Sequence, residues 1–554
     1  MGLASGLASP PAALLAGALQ ALSIAEPWRG APLWWLQTLS LAWLVWQLAH
    51  RAGRQTSWSA STWIQPETGP AWRRAFGLAW LFGLGWLAGT FWWLFTSMHT
   101  YGGLNPVLAA AAVLALAGAL ALYYALAGAA FVALVPARGL ARHPARAALL
   151  FAALWTLAEL ARGRWLTGFP WGAGGYAQVD GPLALLARYV GVYGVGFASA
   201  ALAALLALAP HVRWRQPRTL GGAALLLALA ASLWGGRQTA LDAPGTPALD
   251  SAVELLQGNI PQDQKFIPGT GMADALRWYG EQLQASTAPL VVAPETAIPL
   301  LPRQLPEGYW QALQARYAHG QQAALLGVPL GDMHAGYTNS VVGLKAGQAE
   351  PYRYDKHHLV PFAEFFPVPG FVRQWLRLMS LPYSDFTRGA LAQPPLPAAG
   401  LQLATTICYE DAYGSSQLPA LATATALVNV TNDAWFGRSS ARYQHLQISR
   451  MRAIEAQRYL VRAANDGVSA VIGPRGELLA RAPEFTPTVL RARIVPLGGL
   501  PPYAQVGNWP VVSLAALLVV LAALAGRRGV GARVARGDRC PDRGEGSVPV
   551  RDGP

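Results

Sequence analysis

Three residues stand out by type and setting: Cys408, Glu295 and Lys356. Cys408 closes the apolar stretch Leu401-Gln402-Leu403-Ala404-Thr405-Thr406-Ile407, which reads as a buried strand. Tyr409, Glu410, Asp411 and then Gly414 follow. The thiol therefore falls at a turn, and turns at strand ends present side chains to clefts. On its own, Thr405–Asp411 is as compatible with a packed core thiol as with a nucleophile, because free cysteine is usually a small buried hydrophobe. Glu295 lies just beyond another apolar run, in Val292-Ala293-Pro294-Glu295-Thr296-Ala297. Lys356 sits among aromatic and apolar neighbours in Tyr354-Asp355-Lys356-His357-His358-Leu359-Val360-Pro361-Phe362. A thiol is a weak nucleophile until something takes its proton. A partly buried glutamate, its pKa raised by desolvation, is a suitable base. A fixed ammonium can hold the oxyanion formed when a thiolate attacks a carbonyl. Each residue taken singly has a plainer reading, since most Glu and Lys are solvated surface groups.

The elements that must position these groups fall into two kinds. Of 554 residues, 53% are hydrophobic and only 13% charged, about half the usual charged share. This composition points to a membrane protein, and many of the 22 Trp lie near the ends of apolar runs, where aromatic belts sit. The net charge of +14 is concentrated in short loops and the C-terminal tail, so it reads as a topology signal rather than a nucleic-acid surface. Cys408 and Cys540 are too far apart in sequence and context to suggest a disulfide framework. Apolar runs at 10–25, 32–49, 75–96, 105–135, 147–161, 183–208 and 219–235 approach or exceed the roughly 20 residues that span hydrocarbon. The first lacks a basic lead and is read as a helix, not a cleaved signal. Arg51, Arg54, Arg73 and Arg74, then Arg138, Arg142 and Arg146, then Arg213, Arg215 and Arg218 mark alternate loops, while 97–104 carries no Lys or Arg. This places the N-terminus in the cytoplasm and residue 240 on the far side. Arg162 and Arg164 are a partial exception. With Glu159 they form either a functional intramembrane cluster or an anchor for the following loop.

From about 242 to 496 polar residues return and apolar runs shorten to strand length. Strands are predicted at 253–257, 290–293, 323–328, 340–344, 401–407 and 426–430, a helix at His445–Ala464, and a hairpin around Gly473-Pro474-Arg475-Gly476. Residues 509–526 read as an eighth span, and Arg527, Arg528, Arg533 and Arg536 return the chain to the cytoplasm. The domains expected are a seven-helix bundle over 1–240, a catalytic domain over 241–500, a last span over 505–528, and a disordered cytoplasmic tail over 529–554 that holds Cys540.

The order and contexts of the three residues together resemble the nitrilase superfamily, whose enzymes use a Glu–Lys–Cys triad. Within it the chain resembles the apolipoprotein N-acyltransferase family. The resemblance rests on Gln257-Gly258-Asn259-Ile260-Pro261-Gln262, Pro294-Glu295-Thr296-Ala297, Lys356 through Phe365, Ile407-Cys408-Tyr409-Glu410, Asn432-Asp433-Ala434-Trp435-Phe436-Gly437 and Thr167-Gly168-Phe169-Pro170-Trp171. It implies eight transmembrane helices plus an extracytoplasmic α/β nitrilase-like domain, an αββα sandwich, in the bacterial inner membrane with the catalytic domain in the periplasm. It implies Glu295 as general base, Lys356 as oxyanion stabiliser and Cys408 as nucleophile. It further implies Glu364 as an essential acid, Tyr409 and Glu410 as neighbours of the nucleophile, and Trp435 on a loop near the entrance. Phe266 stands where the family often has Trp, which keeps an aromatic wall but removes an indole N–H.

The implied activity is ping-pong transfer of an acyl chain from a phospholipid, through a cysteine thioester, to the α-amine of diacylglyceryl-cysteine in an apolipoprotein. No cofactor, metal or nucleic acid is expected, and a monomer is. His357-His358 have no further His or Cys at a familiar ligand spacing. The alternative is a membrane-tethered amidase or nitrilase acting on a C–N substrate. The stretch Pro361–Met379, with Phe362, Phe365, Phe366, Phe371, Trp375 and Leu376, suits a lid or lipid-dipping segment and equally an ordinary packed helix. Asn429-Val430-Thr431 fits a glycosylation sequon but falls in a strand predicted to be buried, and is discounted.

Overall fold

The computed structural model describes residues 9–53, 70–135, 140, 143–211, 250–348, 350–365 and 386–537. Apolar sequence first builds helices α1 (Pro10–Leu22), α2 (Trp34–Gly53), α3 (Ala71–Phe91), α4 (Pro106–Leu134), α5 (Pro144–Arg164) and α6 (Ala187–Ala207). Asn105 starts α4 by accepting a hydrogen bond from the Val107 N–H, with Pro106 in the first turn. Residues Ser97–Tyr101, expected as loop, instead continue α3 after a 50° bend. The Gly102 N–H reaches back to the Ser97 carbonyl, a wide turn that Gly102 and Gly103 then end.

Among the described residues, three helical stretches are long and apolar enough to cross a membrane: Pro106–Leu134, Pro144–Arg164 and Ala184–Ala207. The bent α3 and its continuation make a fourth if counted as one span. α1 is shorter, as is the apolar part of the last helix, Trp509–Ala525. The predicted run 219–235 lies outside the described residues.

Small residues let these helices meet backbone to backbone. A Cβ on Gly17 would lie 2.1 Å from the Phe82 carbonyl oxygen, and one on Gly85 would lie 2.3 Å from that of Leu14. Such contacts suit helices in lipid, where apolar burial alone gives little drive to associate.

The second unit is a sandwich. Its strands are β1 (Ser251–Gln257), β2 (Leu290–Val292), β3 (Ala323–Asp332), β4 (Gly336–Lys345), β5 (Tyr352–Asp355), β6 (Leu396–Ala398), β7 (Leu401–Ile407), β8 (Ala426–Thr431), β9 (Leu460–Ala464), β10 (Ala470–Ile472), β11 (Leu478–Arg481) and β12 (Thr488–Ile494). One sheet runs β12-β1-β2-β3-β4-β5 and the other β11-β10-β9-β8-β7-β6. Both are mixed, with β1-β2-β3 parallel in the first and β7-β8-β9 in the second. Alternation sorts the side chains. Leu290, Val292, Ala323 and Leu325 join the core that also holds Ile407, Val428 and Val430 of the other sheet, while Val291, Ala324 and Leu326 face the outer helices. Those outer helices are α7 (Gly271–Ala285) and α8 (Tyr309–Tyr317), and α9 (Ala441–Ala456) covers the second sheet. α10 (Trp509–Gly537) returns to pack along α5 and α6.

All six predicted strands and the hairpin are present. The predicted helix at His445–Ala464 is not one element. α9 ends at Gln457, which turns left-handed (φ 51°), and Leu460–Ala464 enters the sheet between β8 and β10. No Gly or Pro marks this stop, so pairing across the sheet overrides the local pattern.

The close approach of α1 and α3 can be tested at two glycines of α3. Gly85→Leu should lower stability in detergent by about 1–3 kcal/mol through overpacking. Gly77→Leu, where a Cβ meets nothing within 4 Å, should change the thermal midpoint little. Equal midpoints for the two variants would contradict this packing.

Candidate active site

Glu295, Lys356 and Cys408 all lie at C-terminal ends of strands: Glu295 three residues after β2, Lys356 directly after β5, and Cys408 directly after β7. Two of these turns are strained, with left-handed φ at Cys408 (54°) and at Thr296 (52°). Gly327 of β3 lets the Glu295 turn pass close by, since a Cβ there would lie 2.4 Å from the Pro294 carbonyl oxygen.

Lys356 is buried to 1% exposure, and Nζ donates to Glu295 Oε1 at 3.2 Å and to Glu364 Oε1 at 2.9 Å. Asn339 Nδ2 bridges the same two oxygens at 2.7 and 2.9 Å. Glu295 Oε2 accepts the Asn432 N–H at 3.0 Å. Behind it, buried Lys265 donates to the Glu295 carbonyl at 3.2 Å. Glu364 Oε2 accepts the Val360 N–H at 2.8 Å, which folds the segment after Lys356 back over the cluster.

Burial would push Glu295 up, but the Lys356 ammonium, the Asn339 amide and Lys265 hold its carboxyl below the ordinary value. This reverses the sequence-based expectation of a raised glutamate, because desolvation is outweighed by two cations and a donor. Burial pulls Lys356 down, yet Glu295 and Glu364 hold it well above its usual value. Burial lowers Lys265 to about 8. Burial also pushes the Cys408 thiol well up, Glu295 pushes it further, and Lys356 opposes. At rest the proton therefore belongs to sulfur, beside an ionised glutamate and a charged lysine.

Glu410 is buried beneath this cluster. Its carboxylate accepts the N–H groups of His357 (2.7 Å), His358 (3.1 Å) and Ile407 (2.8 Å) and the Tyr354 hydroxyl (3.0 Å). It ties the Lys356 turn to the Cys408 turn. Burial lifts it to about 7 against the pull of those amides.

Tyr409 faces the helical unit. Its ring lies 6.0 Å from Phe169 and 6.4 Å from Trp171. The loop carrying those rings runs through left-handed Leu166, Thr167 and Gly168. Arg162, buried in α5, donates to the carbonyls of Phe169 (2.5 Å) and Trp171 (2.8 Å) and to the Tyr124 hydroxyl (2.9 Å). Glu159 accepts the Gly174 N–H at 3.1 Å. Glu159 and Arg162 thus anchor the loop that lies against Tyr409, the neighbour of Cys408.

Trp435 and Phe266 stand at the margin, 41% and 36% exposed. The Trp435 carbonyl accepts from Ser97 Oγ at 2.7 Å, another link to the helices. Of the lid candidate, Phe362 is exposed and Phe365 lies under Arg388 at 4.5 Å. Phe366, Phe371, Trp375 and Leu376 lie outside the described residues, as does Cys540.

Sequence reasoning missed Asn339, Lys265, Asn432 and Asn429. Asn339 carries no local signal, being one of several polar residues in β4. Asn432 stood in a motif from which only Trp435 was singled out. Asn429, set aside as a false sequon, donates Nδ2 to the Cys408 carbonyl at 3.1 Å.

A two-sheet sandwich with Glu, Lys and Cys at its strand ends, seated on an apolar helical unit, defines a membrane-associated thiol enzyme of the carbon–nitrogen hydrolase class. Residues 254–497 match the carbon–nitrogen hydrolase model, and residues 16–205 match the apolipoprotein N-acyltransferase N-terminal domain. The apolipoprotein N-acyltransferase of Verminephrobacter eiseniae is 49% identical over 508 residues, covering 87% of this chain and 88% of that one. That of Ralstonia nicotianae is 43% identical over 531 residues, 95% of this chain and 94% of the relative. That of Chromobacterium violaceum is 39% identical over 521 residues, 93% and 94%. The chain belongs to the apolipoprotein N-acyltransferase family.

A thiol raised by burial reacts slowly with alkylating agents, because only the thiolate attacks. Iodoacetamide modification of Cys408 should accelerate with rising pH through pH 9 without levelling. A plateau below pH 8 would show a resting thiolate instead.

Proposed function

We propose that this protein transfers an acyl chain from a phospholipid to the α-amine of diacylglyceryl-cysteine at the start of an apolipoprotein. The observation that carries the reading is the buried Glu295–Lys356 hydrogen bond (3.2 Å) beside Cys408, with the apolar loop at 166–171 against Tyr409. Membership of the family supplies the donor and acceptor.

Glu295 is the base. As the ester carbonyl arrives, Glu295 takes the Cys408 proton and sulfur attacks the carbonyl carbon. Lys356 and the Tyr409 N–H, in the first turn of Cys408–Ala412, hold the oxyanion. Glu364 keeps Lys356 charged, and its hydrogen bond to Asn339 fixes the geometry. The C–O bond breaks, Glu295 protonates the departing lysophospholipid oxygen, and a thioester remains. In the second half the neutral acceptor amine attacks the thioester. Glu295 takes a proton from nitrogen, the C–S bond breaks, and the proton returns to sulfur. The product is an amide, and the free thiol is restored. A proton resting on sulfur suits this cycle, because thiolate forms only with a carbonyl at hand to receive it. A thioester also needs cover from water. The loop at 166–171 and the segment after Lys356 supply it, with Trp435 and Phe266 lining the approach.

The reading extends to the membrane. Eight helices span the inner membrane of a bacterium: seven within 1–240 and one within 505–528. The catalytic domain, 241–500, lies in the periplasm, and the chain beyond the last span lies in the cytoplasm. Loop arginines support this orientation. The enzyme acts as a monomer.

Two measurements test the chemistry. Purified protein given acyl-labelled phospholipid should gain a hydroxylamine-sensitive adduct on Cys408, seen by mass spectrometry, and Cys408→Ala should gain none. Full adduct formation in that variant would sink the nucleophile assignment, and ammonia release from simple amides without lipid would point to hydrolysis instead. Asn339→Ala removes the donor shared by Glu295 and Glu364. It should slow adduct formation about 10- to 100-fold through misplacement of both carboxylates. A rate within threefold of the parent would show that the shared donor is dispensable.

A further inference from the structure

The backbone of the nucleophile is gripped from behind by charges that acyl transfer leaves unused. The left-handed turn at Cys408 points its carbonyl into the domain, where His445 Nε2 lies 3.3 Å from the oxygen. His445 is fully buried on α9. Its Nδ1 lies 2.8 Å from Asp433 Oδ1, and its Nε2 also lies 3.0 Å from Asp411 Oδ1. A carbonyl and two carboxylates are all acceptors, so both ring nitrogens must carry hydrogen. A neutral ring would set a lone pair against one carboxylate in a site without water's screening.

The surroundings balance this charge. Asp411 comes from the turn after β7, Asp433 from the turn after β8, and Arg462 from β9. Arg462 donates to Asp433 Oδ2 at 2.7 Å and lies 3.7 Å from Asp411 Oδ2. On α9 itself Ser449 donates to Asp411 Oδ2 at 2.6 Å, and Thr431 of β8 donates to Asp433 Oδ1 at 3.0 Å. The helical unit contributes uncharged Trp171, whose ring is 5.0 Å from the imidazole. Two cations and two anions thus close on one another with no net charge. Burial and Arg462 push His445 down, but the two aspartates hold it above its ordinary value, and Asp433 sits at about 2.

We propose that His445 is a positioning residue: a buried imidazolium that holds the Cys408 carbonyl and so fixes the turn that aims the thiol at the ester. It acts through the backbone and touches no substrate. Its charge also offsets Asp433, which otherwise pushes the thiol further up. The proposal rests on Cys408 being the acyl-accepting nucleophile.

Two variants test it in the adduct assay. His445→Gln keeps a donor but loses the charge. At saturating phospholipid it should acylate about 100-fold more slowly, with the donor concentration for half-maximal rate unchanged. Asp411→Asn keeps the imidazole but removes one of its two anions. The ring should then lose its second proton in the ordinary histidine range. The ratio of Asp411→Asn to parent acylation rates should fall about tenfold between pH 6 and pH 8, because the active form is the protonated one. Taking the ratio cancels titrations common to both proteins, Glu410 included. Acylation by His445→Gln within threefold of the parent, or a ratio flat with pH, overturns the proposal. If His445→Gln does not fold, the pH dependence of the ratio decides alone. Absence of any adduct on Cys408 in the parent would overturn the acyl-transfer reading and this one with it, whereas a normal parent adduct with a flat ratio overturns only this one.

Discussion

Lys356 can stay charged inside the domain only because two carboxylates meet it there. An isolated buried ammonium would lose its proton rather than its water. Glu295 and Glu364 both reach Nζ, and Asn339 reaches both carboxylates. The arrangement is poor value as a source of stability, since well-packed apolar residues usually serve as well. Removing one member, however, leaves an uncompensated charge and costs about 3–5 kcal/mol. The cluster is thus a constraint: once Lys356 is buried, Glu295, Glu364 and Asn339 have little freedom in type or place. The charge is useful where it stands, because it can stabilise an oxyanion that water would otherwise have to solvate.

The same constraint explains why strained backbone gathers here. A side chain at a strand end normally points along the sheet's own alternation. To bring a thiol and a carboxylate towards one ammonium, the chain turns left-handed at Cys408 and again just after Glu295, at Thr296. Each turn exposes a carbonyl to the interior, and each carbonyl is met by buried donors: Asn429 together with His445 for Cys408, and Lys265 for Glu295. The strain is held in place by polar groups that are themselves fully enclosed. Glu410 then joins the Lys356 and Cys408 turns through their N–H groups, so these two turns cannot shift independently.

Strands β1 to β4, β7 and β8 could be read from the sequence because each contains a short apolar run bounded by polar or turn residues. The same was true of the turns carrying Glu295, Lys356 and Cys408. What could not be read depends on contacts distant in sequence. The split of His445–Ala464 into helix and strand is decided by β8 and β10, not by any residue within it. Asn339 matters because β4 lies beside β5, which brings it to Lys356 across the sheet. The direction of Glu295's ionisation could not be foreseen either. Burial alone gives one sign, and only the number of cations within reach gives the other. His357 and His358 give their N–H groups to Glu410, and Asn429 reaches from β8 to the Cys408 carbonyl, contacts that no local pattern marks.

The helical unit is joined to the sandwich by polar contacts as well as apolar ones. Arg162 of α5 fixes the loop that places Phe169 and Trp171 against Tyr409, and the Trp171 indole N–H donates to Gln444 on α9 at 2.7 Å. The Val192 N–H, beside the left-handed Gly191 that interrupts α6, is taken by Glu455 at 2.6 Å. Asp180 accepts from both terminal nitrogens of Arg450. Helix α9 is therefore buried on both sides, against β9 on one and against α6 on the other. A free-standing thiol hydrolase would expose that face to water and could carry any polar surface there. Here the face is fully committed, and the turn bearing Cys408 meets the helical unit through Tyr409. An aromatic boundary beside the neighbour of Cys408 suits an apolar acyl ester better than a small polar amide. That boundary thus bears on substrate class, which Glu295, Lys356 and Cys408 alone leave open.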